Sequence, residues 1–176
     1  MKRYLIALLC LLGATTTMAQ QNNTPYQKFS FMAYMEMSTN YSETNPFREF
    51  GASLIPTYSI TRNWFVGIPI TISGELYKNQ QTGIKNNFGG DFRLGVTAGY
   101  DFHWDEDVFT VSGAVLSTPL MNQTPQSLYY EIGVKWSPNY YIPFRPIIGI
   151  GVRYYQSLTS TFRDAVCCYV CMGLRF

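Results

Sequence analysis

The chain has 176 residues, enough for a single domain once its leader is set aside. Aromatic residues make up 16% and charged residues only 14%, well under the roughly 25% of an average soluble domain, which excludes a disordered chain and argues against a freely solvated surface. The formal charge of +2 comes from Lys2 and Arg3, so the rest of the chain balances at zero and a nucleic-acid partner has no electrostatic footprint.

Lys2 and Arg3 precede the apolar run Tyr4–Ala14, and Thr15-Thr16-Thr17-Met18-Ala19 places small residues where a signal peptidase reads. Residues 1–19 are therefore expected to be a secretory signal peptide, with 20–176 as the exported domain. The apolar run is too short for the roughly 20 residues a membrane-spanning helix needs. Cys10 lacks the small residue that precedes a lipidated cysteine. No later stretch reaches 18 consecutive apolar residues, which excludes a helical membrane protein. The mean hydropathy of −0.05 suits a soluble domain, and it suits equally a membrane barrel whose strands alternate lipid-facing and lumen-facing residues.

From Gln27 onward the chain divides into eight segments of period-2 alternation. In the first, Gln27–Ser38, the apolar face is Phe29, Phe31, Ala33, Met35 and Met37. Parity then flips: Glu49–Ile60 shows Phe50, Ala52, Leu54, Pro56 and Tyr58, and Trp64–Glu75 shows Trp64, Val66, Ile68, Ile70 and Ile72. Asp91–Phe102 continues with Phe92, Leu94, Val96, Ala98, Tyr100 and Phe102. Val108–Ser117 is ambiguous, because Phe109, Val111 and Val115 oppose Val108, Ala114 and Leu116. Alternation sharpens again in Ser127–Trp136, Phe144–Tyr155 and Ala165–Phe176, whose even positions carry no charge. Their odd positions carry Glu131, Lys135, Arg145, Arg153 and Arg175 together with Gly133, Gly149, Gly151 and Gly173. The pleat thus sets two faces of opposite chemistry.

Three features orient those faces. Glycine on the polar face weakens a strand unless space is short, and a crowded barrel interior supplies that shortage. Trp64, Trp104 and Trp136 all fall at segment ends on one rim, where amphipathic rings suit a membrane interface. Ten residues tilted by roughly 40° rise about 25 Å, the height of an outer-membrane apolar band. The apolar face is therefore expected to meet lipid.

On this pattern the mature chain resembles the small eight-stranded outer-membrane barrels of the OmpA/OmpX type. The most specific element is the ending Val170-Cys171-Met172-Gly173-Leu174-Arg175-Phe176, apolar at alternate positions and closed by Phe176. The resemblance implies an all-β fold, a single antiparallel eight-stranded up-and-down transmembrane β-barrel in the outer membrane of a Gram-negative bacterium. It implies outer-membrane lipid and the outer-membrane assembly machinery as partners, with Phe176 as the assembly signal. It also implies short inner turns at Thr61–Asn63, His103–Asp107 and Ser137–Pro143. The outer loops would be Thr39–Arg48, Leu76–Gly90, Thr118–Gln126 and Gln156–Asp164.

Pointing the polar faces inward collects Lys28, Arg93, Lys135, Arg145, Arg153 and Arg175 against Glu36, Glu49, Glu75, Asp91, Asp101 and Glu131. Buried charges need partners, and this balanced set predicts an ionic plug in place of an open channel. Catalysis is not expected, because His103, the sole histidine, falls in an inner turn far from any outer-rim nucleophile. Cys167 and Cys171 face inward and Cys168 outward, at a spacing unlike paired metal motifs. No cofactor is expected, and Gly89-Gly90 and Gly149-Ile150-Gly151 open no helix. The expected role is structural or surface-interactive. Two competitors stand beside it: a small barrel that binds or transports apolar ligands through a lateral gap marked by Pro56, Pro69 and Pro146, and a soluble exported lipocalin-like barrel whose apolar face lines a cavity.

Overall fold

The computed structural model describes residues 28–118, 127–138, 144–160 and 163–176. The signal segment 1–19, the expected strand start at Gln27, most of the third outer loop and residues 139–143 of the last inner turn lie outside these residues.

Among the described residues the alternating segments form β1 (Phe29–Thr39), β2 (Phe47–Ser59), β3 (Trp64–Gly67), β4 (Ile70–Tyr77), β5 (Asn87–Trp104), β6 (Asp107–Ser117), β7 (Ser127–Ser137), β8 (Arg145–Ser157) and β9 (Ala165–Arg175). β3 and β4 are two pieces of one crossing, since both pair with β2 on one side and β5 on the other. The register is unchanged between them: Thr57 faces Gly67, and Leu54 faces Ile70. All pairings are antiparallel between successive crossings, and β1 also pairs with β9, so the sheet closes into an eight-position up-and-down ring. Closure leaves no open sheet edge.

The wall is apolar outside and charged inside. Arg153 is 0% exposed and Glu131, its partner in the strand register, is buried, whereas the next residue, Ile132, is 64% exposed and Ile150 on the same strand as Arg153 is 63% exposed. This facing is the reverse of a soluble barrel whose apolar residues line a cavity.

The structure resolves one facing left open by the sequence and corrects two expectations. The ambiguous strand β6 turns Val108, Thr110, Ser112 and Leu116 inward and Phe109, Val111 and Val115 outward. Its small hydroxyls decide this, because Thr110 donates to Asp101 Oδ1 at 2.6 Å and Ser112 accepts from Lys135 at 3.0 Å. β5 starts at Asn87 and ends at Trp104, so it is longer at both ends than Asp91–Phe102. Trp104 pairs with Asp107, and the inner turn shrinks to Asp105-Glu106, with Asp105 at φ 51. His103 therefore sits in a strand, not in a turn. Finally, the third segment is interrupted at Ile68-Pro69. Pro69 has no N–H to give the ladder, and Pro56, which stands opposite Ile68, has none either.

Candidate functional site

The lumen of the ring is filled by side chains arranged in levels. Near the end carrying the longer loops, Phe47, Tyr77, Leu116, Tyr155 and Ala165 form an apolar layer. Beneath it lies an ionic cluster built from six strands. Arg153 on β8 places Nη2 at 2.5 Å from Glu36 Oε2 and 2.9 Å from Glu131 Oε2, and Nη1 at 3.3 Å from Glu49 Oε2. Arg93 on β5 donates to Glu49 Oε1 at 2.5 Å and to Glu75, and its Nε stands 2.6 Å from Asp91 Oδ2. Glu49 thus bridges the two guanidinium groups. Lys135 joins through Glu131 at 3.5 Å.

Tyrosines complete this cluster. Tyr129 and Tyr169 donate to the two oxygens of Glu131 at 2.7 and 2.8 Å, and Tyr155 donates to Glu49. The Arg153 guanidinium lies 4.2 Å from the Tyr169 ring centre, and Arg93 lies 5.1 Å from that of Tyr129. Hydroxyls satisfy the carboxylates while ring faces hold the cations, which lowers the cost of keeping charge away from water. Tyr169 reaches Glu131 by crossing Gly133 and Gly151, which oppose each other across β7 and β8. A Cβ on Gly133 would strike the Tyr169 hydroxyl, and one on Gly151 would strike its ring.

Below the cluster Met32, Ile55, Phe65, Ile147 and Cys171 form a second apolar layer. Under that, Arg175 donates to Asp101 Oδ2 at 2.7 Å and lies 5.6 Å from the Phe65 ring centre. A small void in the lumen measures about 10 Å³, lined by Tyr34, Pro69, Thr97, Glu131 and Lys135 among others. That is about the room one water needs.

The charged residues expected to face inward are buried, with one exception: Lys28 is exposed at the rim. They do not form one balanced set. Glu36, Glu49, Glu75, Asp91 and Glu131 meet Arg93, Lys135 and Arg153 in the cluster, whereas Arg145 and Arg175 stand with Asp101 near the opposite rim. Tyr129, Tyr155 and Tyr169 were absent from the sequence-based set, although their odd positions on the polar faces of β7, β8 and β9 mark them. Cys167 and Cys171 face inward in different apolar layers, and Cys168 faces outward. These thiols share no site.

Outside, Trp64, Trp104 and Trp136 are exposed on the rim where β1 begins and β9 ends. Trp64 packs edge-on against Tyr100 at 5.0 Å, Tyr100 meets Phe102 at 4.6 Å, and Trp136 Nε1 donates to Asp107 at 2.9 Å. Phe176 stacks on Phe31 at 5.8 Å and meets Phe144 at the same distance. At the opposite rim the outer loops bond to one another: Gln81 donates to Ser160 at 2.9 Å, and Gln80 to Asn45 at 3.4 Å. One large hollow of about 720 Å³ interrupts the outer wall beside the β3–β4 break, lined by Pro56, Ile68, Val96, Ala98, Gly113 and Val115 among others.

No family model matches the chain, and no curated protein matches it. Among solved structures it is similar to the outer membrane protein Ail of Yersinia pestis, determined as a backbone structure in a phospholipid bilayer nanodisc. The two are 18% identical with a TM-score of 0.44, over 85% of this chain and 100% of that one.

Proposed function

We propose that this chain is an outer-membrane β-barrel of a Gram-negative bacterium, exported by residues 1–19, with a lumen sealed by its own ion pairs and a structural or surface-interactive role. The observation that carries the reading is the inverted wall: Arg93 and Arg153 are fully buried and multiply paired, while Ile132, Ile148 and Ile150 are exposed. Turning an Arg to lipid near the midplane would cost about 2–4 kcal/mol, so the facing has a single sense in a bilayer. The aromatic rim at Trp64, Trp104 and Trp136 suits one membrane interface, and the terminal Phe176, bonded into the seam with β1, suits recognition by the assembly machinery. The loops at the other rim, neutral and polar at Asn45, Gln80, Gln81 and Ser160, are the surface offered outward. We assign no catalytic role, because the lumen carboxylates, phenols and guanidinium groups are committed to one another.

The test is fractionation followed by electrophoresis with and without boiling. An outer-membrane fraction with heat-dependent mobility is the expected result, and recovery as a soluble periplasmic protein would overturn the reading. In planar bilayers the sealed lumen should give no stable unit conductance.

A further inference from the structure

The hollow in the outer wall has a specific origin. The cross-strand register sets Val66 beside Ala98, Ala98 beside Gly113, and Gly113 beside Ile132, all on the outward face. Two of the smallest side chains therefore stand side by side in a wall covered mostly by large ones. Next to them the ladder lacks two donors, at Pro56 and Pro69, and Ile68 projects outward as the far bank. Pro146, the third proline considered as a gap marker, lies on β8 and takes no part.

We propose that this hollow holds one acyl chain of an anionic membrane glycerophospholipid, a proposal that rests on the membrane reading above. The hollow runs from the aromatic rim toward the middle of the wall. On β5 its outward lining runs from Ala98 to Val96, two residue steps that rise about 5 Å when tilted, so it cradles part of an acyl chain within one leaflet. Its lining is continuous with the lipid-facing surface. At the rim below, Lys28 and Arg62 are exposed on the β1–β3 side, whereas Asp105 and Glu106 occupy the turn under β5 and β6 and Asp107 opens β6. The phosphate belongs on the basic side. The site binds and does not transport. Thr97 lines both the hollow and the small lumen void, but its hydroxyl donates to the Gly113 carbonyl at 2.8 Å and ties β5 to β6 where a passage would have to open.

The hollow can be filled without disturbing the wall, because a Cβ on Gly113 would meet only the Glu131 carbonyl, at 3.5 Å. The full chain, extracted in mild detergent and incubated with phosphatidylglycerol, is examined by native mass spectrometry. Wild type should retain one phospholipid per barrel. Ala98→Leu with Gly113→Leu should lower that occupancy at least tenfold, and Lys28→Gln with Arg62→Gln severalfold. Ala52→Leu, also outward on β2 but beyond the hollow, beside Met35 and Ile72, should leave it unchanged. Retention of wild-type occupancy by the Ala98→Leu/Gly113→Leu barrel overturns the proposal, as does equal loss in Ala52→Leu. A dimer abolished by filling the hollow would place a second copy there and overturn it too. A barrel that shows heat-dependent mobility but keeps no lipid sinks this proposal alone. A chain without heat-dependent mobility sinks the membrane reading.

Discussion

The lumen holds its charges in two places that differ in valence. In the cluster, Arg153 touches three carboxylates from three other strands, and Arg93 engages three, two from other strands and Asp91 from its own. Near the opposite rim, Arg175 makes one ion pair, with Asp101, and rests on a phenyl face. Both arrangements cross the ring. The difference lies in what removal leaves behind. Taking one cation from the cluster crowds several carboxylates in a dry space, whereas taking Asp101 from the other end leaves Arg175 and its register partner Arg145 closer to the rim. Stability should therefore depend on the number of orphans created more than on the number of bonds lost.

The largest separation between the two sites should come from Arg153→Met. It sets Glu36, Glu49 and Glu131 against one another, and unfolding by urea in micelles or vesicles should show a loss of about 3–5 kcal/mol. A loss below about 1 kcal/mol would mean that water already reaches the cluster. Glu49→Gln keeps the shape but removes the charge between Arg93 and Arg153. The same titration should register a loss of about 2 kcal/mol, within the range for hydrogen bonds to charged groups. Asp101→Asn should cost least, about 1 kcal/mol, and its cost should shrink as salt rises from about 0.05 to about 0.5 M, while that of Arg153→Met should hardly move. Equal salt dependence at both sites would erase the distinction.

Much of this was legible from residue parity. The strict alternation in β5, β7, β8 and β9 states which side chains share a face, and the glycines at 133 and 151 announce a crowded interior. β6 was not legible, since Phe109 and Val108 are both apolar; its facing is decided by what Thr110 and Ser112 meet on β5 and β7. Height along the barrel was not legible either. Arg153 finds Glu36 across 117 residues of chain because strand stagger brings them level, and stagger is a property of the closed ring. That is why one balanced set of charges was expected and two unequal ones are found. The hollow in the wall has the same cause: Pro56 and Pro69 are visible as breakers, yet only the pairing of Ala98 with Gly113 makes their neighbourhood concave.

The seam between β1 and β9 carries a consequence for biogenesis. Phe31 and Phe176 exchange backbone hydrogen bonds in both directions, 2.6 and 2.9 Å long, and stack their rings. The end of β9 is thus latched to the start of β1. Until β9 is in place, a partial product carries two raw borders that no local hairpin can mask, and such borders invite pairing between molecules. On the membrane reading proposed above, escort must therefore cover the chain through β9, and loss of the β9 end should turn a self-contained cylinder into an aggregating ribbon.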